Sequence, residues 1–198
     1  MSRPFRALVL VLFAAGCGGG NFSAPRNLDN ACALVDERPA YLRAMQDTER
    51  RWGVPVAVQM ATLHQESRFV GNARTPHRFA LGIIPTGRMS SAYGYAQALD
   101  GTWDDYLDDT GRRGARRDRI DDATDFMGWY FNRTVERNGI PLDDAKRQYL
   151  AYHEGHNGYA RGSYNAKSWL LRVSDNVASR AAMYQGQLEA CGLAAPRT

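Results

Sequence analysis

Glu66 is the residue whose type and surroundings most directly indicate chemistry. Val56, Met60 and Leu63 precede it at helical spacing and predict a buried helix face. At 100° per residue, Glu66 lies about 60° from Leu63, on the flank of that face. Because partial burial disfavours the charged form of a carboxyl group, we expect its pKa to be raised. Most helical glutamates are simply solvated, but a raised pKa suits a general acid at neutral pH.

Two further segments place polar side chains next to glycine. Gln97 ends the segment 94–97, where its amide suits ligand binding in a groove, although a packed glycine turn is equally compatible. Farther along, His153 and His156 invite a metal interpretation, but the His-Glu-x-x-His motif of zinc proteases requires a continuous helix and Gly155 interrupts it. We therefore expect no metal site. Glu154 is a second carboxylate that can orient groups in a cleft, polarise His156 or stabilise the helix end.

The spacing of apolar residues along the chain predicts a mainly α-helical domain. Composition is close to the globular average, which excludes a disordered, collagen-like or coiled-coil chain. Residues 70–93 carry Gly and Pro at intervals that exclude a long helix and predict a loop or a small hairpin. We predict helices over about 38–52 and 55–69, one before Gly111, and others over 121–138 and 143–152, followed by a long last helix that reaches Cys191.

Taken in chain order, the segments that contain Glu66, Gln97 and His153 resemble the three motifs of lytic transglycosylases with the soluble-type, goose-lysozyme-like fold. Glu66-Ser67 matches the Glu-Ser motif, the segment 94–97 matches Gly-Leu-Met-Gln, and Ala151-Tyr152 matches the start of Ala-Tyr-Asn. The resemblance covers about residues 36–190. It implies a lysozyme-like single domain with the 70–93 loop or hairpin beside the cleft. It also implies peptidoglycan glycan strands as the substrate and no cofactor.

The resemblance assigns roles to individual residues. Glu66 would protonate the oxygen of the β-1,4 bond between N-acetylmuramic acid and N-acetylglucosamine, then withdraw the proton from the muramyl C6 hydroxyl. The product would be a 1,6-anhydromuramyl end. Ser67 and Tyr152 match positions that orient the catalytic carboxyl group or contact sugar, and Gln97 matches a sugar-contacting amide. We expect Tyr95 to line the same groove.

The match departs from the family pattern at several positions. Tyr-Ala at 95–96 replaces Leu-Met, and His153 stands where the family has Asn. Goose-type lysozymes, which share the fold, carry an Asp two residues beyond the matching Gln. Here Leu99 occupies that position and Asp100 follows it. A goose-type muramidase, which is a hydrolase, is therefore one alternative function, and a catalytically inactive peptidoglycan-binding lipoprotein is another.

The N-terminus has the pattern of an export signal. Arg3 and Arg6 precede the apolar run 7–15, which is too short to span a bilayer. Small residues before Cys17 resemble a bacterial lipobox, in which the cysteine becomes the lipidated N-terminus. Ordinary signal-peptidase cleavage near Gly16 is the alternative. We predict a signal peptide over 1–16, a flexible tether over 17–30 and a catalytic domain over 31–198.

The expected location follows from the same segment. Gly18, rather than Asp, after the lipidated cysteine resembles the outer-membrane sorting pattern. We therefore expect an exported monomer that is anchored by lipid in the outer membrane, faces the periplasm and touches the membrane through its anchor only. The sequence does not identify a protein partner in the envelope machinery.

The sequence contains three cysteines, an odd number for an exported chain. If Cys17 carries lipid, Cys32 and Cys191 remain as an even pair in an oxidising compartment. We predict a disulfide between them that joins the start of the domain to its last helix.

Charge gives no indication of nucleic-acid binding. Removal of residues 1–16 lowers the number of basic residues from 25 to 23, against 21 acidic residues, so the net charge falls from +4 to +2. Five arginines cluster over 112–119, without aromatic interleaving and with aspartates on both sides. We interpret this segment as a surface that compensates its own charge.

Overall fold

The computed structural model describes residues 22–80 and 84–194, so the predicted signal peptide and Cys17 lie outside the described residues. The prediction of a mainly helical fold is confirmed. The described part contains no helix that is long and apolar enough to cross a membrane. Its helices are α1 (Ala31–Glu37), α2 (Pro39–Trp52), α3 (Val56–Ser67), α4 (Asp100–Thr110), α5 (Ile120–Asn138), α6 (Ala145–Glu154), α7 (His156–Ala160) and α8 (Ser168–Ala190).

Two of these helices, α1 and α7, are absent from the sequence prediction. Helix α1 begins after Asn30, whose side chain accepts a hydrogen bond from the Ala33 amide and so caps the helix. The surrounding Gly- and Asn-rich composition hid this cap. Helix α3 ends at Ser67, two residues earlier than predicted, because Arg68 and Phe69 both adopt left-handed backbone angles.

Helix α3 lies at the centre of the fold. The sequence predicts one buried face, and Val56, Met60 and Leu63 on that face are buried. However, every residue from Val56 to Leu63 is buried, because α2, α6 and α8 all pack around this helix. Even Gln59 is enclosed, and its amide nitrogen donates to two backbone carbonyl oxygens. The end of α3 is therefore a rigid position for a functional side chain.

Asp125 of α5 connects three helices through one buried carboxylate. It accepts hydrogen bonds from Arg51 and Trp52 of α2 at 2.9 and 3.0 Å, and from the Tyr106 hydroxyl of α4 at 2.7 Å. Arg112 completes the set with an ion pair at 2.9 Å. These partners satisfy a charge that would otherwise be costly to bury.

The arginine-rich segment 112–119 compensates its charge as predicted. Arg112 pairs with Asp122, Arg116 with Asp118, and Arg119 with Asp121. Arg117 pairs instead with Asp100 at the start of α4. This surface therefore holds the loop between α4 and α5 against its neighbours.

For residues 70–93 the sequence predicts a loop or a small hairpin, and the structure contains a hairpin. Strand β1 (His77–Ala80) pairs antiparallel with strand β2 (Ile84–Arg88). A backbone bridge between Arg74 and Tyr93 closes the base of the hairpin. The chain leaves the hairpin directly into the segment 94–97.

The described part of the predicted tether, residues 22–30, is bound to the domain. The Gly71 amide donates to the Phe22 carbonyl oxygen at 3.1 Å. Asp29 forms an ion pair with Arg180 of α8, and the Tyr184 hydroxyl donates to the Leu28 carbonyl oxygen. The prediction of a flexible tether is therefore wrong for these residues, because composition alone does not register contacts with distant helices.

The predicted disulfide between Cys32 and Cys191 is confirmed. It joins α1 to the end of α8, with the two Cα atoms 6.4 Å apart. The bond encloses nearly the whole described domain, since the two residues are 159 positions apart.

Removing this disulfide should destabilise the domain. For a loop of this length, the chain-entropy model gives a loss of at most about 4 to 5 kcal/mol in the free energy of unfolding of C32A/C191A. We expect a lower denaturation midpoint for this variant in urea. A reductant should lower the midpoint of the wild type and leave that of the variant unchanged. Equal midpoints for the oxidised wild type and the variant would contradict the prediction.

Candidate active site

Glu66 lies at the C-terminal end of α3 and is partly buried. Burial raises the pKa of its carboxyl group to about 7, and a hydrogen bond with the Tyr149 side chain opposes part of this rise. This confirms the direction expected from the sequence. Near pH 7 the protonated and ionised forms coexist, so one carboxyl group can both donate and accept a proton.

Two tyrosines of α6 face Glu66. Burial raises the pKa of Tyr149 and of Tyr152 above the usual range, and the negative charge of Glu66 adds to both shifts. Both phenols therefore stay protonated and act as hydrogen-bond donors. Tyr149 was not among the sequence candidates. Its spacing of three from Tyr152, which puts both on one helix face, is the signal that could have identified it.

Tyr152 also connects α6 to the segment 94–97. Its hydroxyl donates to the Ala96 carbonyl oxygen at 2.5 Å. The Tyr130 hydroxyl of α5 donates to the Ala151 carbonyl oxygen next to it. The structure thus brings the three predicted segments together around Glu66 and α6.

The segment 94–97 is a tight turn that requires glycine at its start. Gly94 has a φ of 82°, and a Cβ atom there would lie 2.1 Å from the Arg117 carbonyl oxygen. Gln97 adopts a φ of 49°, an uncommon angle for a residue other than glycine. Its amide nitrogen donates to the carbonyl oxygens of Ala73 and Gly94 at 3.0 and 2.8 Å. Its Oε1 atom is then the part of the amide suited to accept a ligand hydroxyl.

A cavity of about 210 Å³, here called the cleft cavity, opens between α4, α5 and α6. Gln97, Tyr152 and Glu154 all line it, so three sequence candidates share one surface. Leu99 also lines it, and Asp100 pairs with Arg117 at 2.7 Å. Glu66 does not line this cavity, but its charge acts on Tyr152, which does.

Glu154 is an ionised carboxylate that its neighbours hold in place. Burial opposes ionisation, but hydrogen bonds from Lys167, Ser163 and His153 outweigh it and lower the pKa to about 2. Lys167 Nζ lies 2.7 Å from Glu154 Oε1, and only 3% of the Glu154 side chain is exposed. A carboxyl group with this pKa cannot supply a proton near pH 7. The structure therefore fits two of the predicted alternatives, in which Glu154 orients its neighbours or stabilises the end of α6.

The alternative in which Glu154 polarises His156 does not fit the structure. His156 Nε2 lies 3.0 Å from the Thr134 hydroxyl, and its ring stacks on Tyr130. His153 contacts Glu154 and the ring of Trp169 instead. Over 22–80 and 84–194, no group of three or more His, Cys, Asp or Glu side chains is arranged to hold a metal ion.

The prediction that Tyr95 lines the groove is also wrong. Its side chain is buried against α2, where its hydroxyl lies 3.0 Å from the Tyr41 hydroxyl and the two rings meet edge to face. The turn at Gly94 directs this side chain into the core. Ser67 is buried as well, and its hydroxyl donates to the Leu63 carbonyl oxygen at 3.3 Å. A role for Ser67 in orienting Glu66 stays a prediction.

A mainly helical domain, with Glu66 in the last turn of its central helix, is consistent with the class of lysozyme-like domains. Within that class, the chain belongs to the transglycosylase SLT domain family, whose sequence profile matches residues 5–191. A comparison with curated proteins found no match. Membership supports a role of the lytic transglycosylase type, and it implies that the domain binds peptidoglycan.

Replacing Tyr149 with Phe should move the pH dependence of activity. The Tyr149 hydrogen bond stabilises the ionised form of Glu66, so its loss raises the pKa of Glu66 further above 7. Activity that needs protonated Glu66 is lost as pH rises through that pKa. We therefore expect the alkaline limb of kcat/KM for Y149F to shift to higher pH.

Tyr41→Phe is the matched control for this prediction. Its buried hydroxyl is bonded to Tyr95 and not to Glu66, so its alkaline limb should coincide with that of the wild type. An alkaline limb for Y149F at the wild-type pH, or below it, would show that Tyr149 does not set the pKa of Glu66.

Proposed function

We propose that this protein is a peptidoglycan lytic transglycosylase. It cleaves the β-1,4 bond between N-acetylmuramic acid and N-acetylglucosamine and leaves a 1,6-anhydromuramyl end. The observation that carries this proposal is the environment of Glu66, whose burial at the end of α3 raises its pKa to about 7. Membership of the transglycosylase SLT domain family supports the same reaction class.

The reaction needs one carboxyl group that serves twice. Protonated Glu66 donates its proton to the glycosidic oxygen as the bond from that oxygen to muramyl C1 breaks, and the N-acetylglucosamine side departs with a hydroxyl group. The Glu66 carboxylate then accepts the proton of the muramyl C6 hydroxyl while that oxygen bonds to C1. No water is consumed and Glu66 ends protonated. Ordinary glycoside hydrolysis uses two carboxyl groups, because its nucleophile does not come from the substrate.

The other acidic side chains near the cleft are engaged elsewhere. Glu154 is held ionised by Lys167, and Asp100 is turned toward Arg117. Leu99, at the position where goose-type lysozymes carry an Asp, lines the cleft cavity with an apolar surface. These observations favour transglycosylation over hydrolysis, in which a second carboxylate helps to place water.

The lining of the cleft cavity suits the binding of a sugar chain. Gln97 offers Oε1 as an acceptor for a sugar hydroxyl, since its amide nitrogen is bonded to backbone. Tyr152 contributes an aromatic ring to the same cavity, with its hydroxyl fixed on Ala96. Glu154 is bonded to Lys167 and to His153, and His153 also lines the cavity.

Replacing Glu66 with Gln tests the mechanism. The wild type should digest purified peptidoglycan to fragments with anhydromuramyl ends, measured by mass spectrometry. E66Q keeps the shape of the side chain without a transferable proton, so its rate should fall by at least about a hundredfold. Undiminished digestion by E66Q would overturn the assignment of Glu66.

The remaining outcomes separate the alternatives. Reducing ends in place of anhydromuramyl ends would identify a goose-type hydrolase. Binding without digestion by the wild type and E66Q alike would identify an inactive peptidoglycan-binding protein. Loss of folding does not confuse the result, because Gln resembles the protonated form that burial favours. Above pH 7, E66Q should therefore be at least as resistant to urea as the wild type.

The proposal includes export and lipid anchoring at Cys17, with the domain facing the periplasm from the outer membrane. The substrate, a cell-wall polymer outside the inner membrane, supports this location. Phe22 is already in contact with the folded domain, through the hydrogen bond that its carbonyl oxygen accepts from the Gly71 amide. The five Cα-to-Cα steps from Cys17 to Phe22 span at most about 18 Å, so the anchor would hold the catalytic domain next to the membrane.

Replacing Cys17 with Ser tests the anchor. The wild type should be recovered with outer membranes and C17S with the soluble periplasmic fraction, as measured by fractionation and immunoblotting. Both forms should digest purified peptidoglycan at the same rate, since Cys17 precedes the folded domain. Recovery of both in the soluble fraction would contradict lipidation.

A further inference from the structure

A second cavity, of about 290 Å³, adjoins the cleft cavity. The two share four lining residues, namely Thr102, Tyr130, Glu154 and Gly155. A ligand that occupies the cleft therefore lies directly beside the second cavity. Three arginines line the second cavity, which is here called the arginine pocket. They are Arg133 and Arg137 of α5 and Arg161, which follows α7.

The arginines of this pocket differ in their partners. Arg133 is paired with Asp109 and lies over the ring of Trp129 at 5.1 Å. Arg137 and Arg161 are both exposed, and neither forms an ion pair with a residue in 22–80 or 84–194. Two guanidinium groups are thus available to a ligand, each with several donors that match carboxylate geometry.

The acidic groups of the lining do not cancel this charge. Glu154 gives its two oxygens to Lys167, His153 and Ser163. The remaining acidic side chain in the lining is that of Asp105. The pocket therefore presents an excess of positive charge, together with one carboxylate that can accept from an amino group.

Two neutral rings, those of Tyr130 and His156, line the arginine pocket. His156 stacks on Tyr130 with ring centres 4.4 Å apart. Burial lowers the pKa of His156 to about 4, and the charges of Arg137 and Arg133 contribute to the shift. His156 is therefore uncharged near pH 7, and the charge that a ligand meets in this pocket comes from the arginines.

We infer that the arginine pocket binds the acidic stem peptide carried by the muramic acid residue in the cleft. This inference rests on the proposed function. Each peptide-bearing muramyl residue carries its peptide on a lactyl side chain, so a glycan strand in the cleft brings a peptide to the adjoining surface. Such a peptide has more carboxylates than amino groups, which matches two unpaired guanidinium groups and one carboxylate. The enzyme therefore prefers strands that retain their stem peptides.

The test compares two substrates that differ only in the peptide. One is a preparation of peptidoglycan strands with stem peptides, and the other is the same preparation after an amidase has removed them. The readout is the ratio of kcat/KM on the intact strands to kcat/KM on the stripped strands. Loss of one charge-assisted contact or more should lower this ratio about tenfold in R137Q/R161Q, mainly through KM. R137E/R161E should lower it further, because it repels carboxylates.

The matched control replaces two other exposed arginines that line neither cavity, in R43Q/R113Q. Its ratio should equal that of the wild type. An unchanged ratio in R137Q/R161Q, or a fall of the same size in the control, would overturn the inference. A wild-type ratio at or below one would do so as well.

Failure of this inference can be told apart from failure of the proposed function. If the proposed function is wrong, the wild type releases anhydromuramyl ends from neither substrate. If only the inference is wrong, the wild type releases them from both substrates and the arginine variants keep its ratio. Co-sedimentation of E66Q with intact and stripped strands adds a readout without catalysis. E66Q should bind the intact strands more tightly, and E66Q/R137Q/R161Q should bind the two alike.

Discussion

The site depends on how a carboxyl group is buried at the end of the central helix. Burial of Glu66 among α3 and the tyrosines of α6 disfavours its charged form, and this desolvation is the largest influence on its pKa. Full enclosure would exclude substrate, and full exposure would leave the pKa near its ordinary value. The fold gives Glu66 both a raised pKa and access for substrate, because α3 is enclosed by its neighbours up to Leu63, whereas Glu66 is partly exposed.

Hydrogen bonds from side chains to backbone carbonyl oxygens hold the segments near this carboxyl group in place. Tyr152 donates to the Ala96 carbonyl oxygen, and Gln97 donates to those of Ala73 and Gly94. Tyr152 and Gln97, which the family resemblance associates with sugar, therefore also fix the turn at 94–97. The left-handed backbone angle of Gln97 persists because these bonds constrain it, which is a common arrangement at functional sites. The disulfide joins α1 to the end of α8 and makes no bond to this turn.

Charge pairing divides the surface into two kinds of region. Around Asp125 and at four of the five arginines of 112–119, arginines are paired with aspartates and hold loops and helices together. In the arginine pocket, Arg137 and Arg161 keep their charge unpaired within the described residues. Glu154 lies between the two cavities, and its bonds to Lys167 and Ser163 keep it from neutralising these arginines. The same residue type thus stabilises structure in one place and is available to a ligand in the other.

The sequence alone determined the helical fold, the disulfide pair and the order of the three motifs, and it excluded a long helix at 70–93, because each of these rests on local spacing or on residue counting. The raised pKa of Glu66 was predictable for the same reason, since helical spacing fixes its angle to the buried face. Only the tertiary structure decided that Tyr95 faces α2, that Glu154 is bound by Lys167 and that Tyr149 contacts Glu66. Those contacts join residues of different helices or loops, and their distances depend on how the elements pack together, which helical and strand periodicity does not encode.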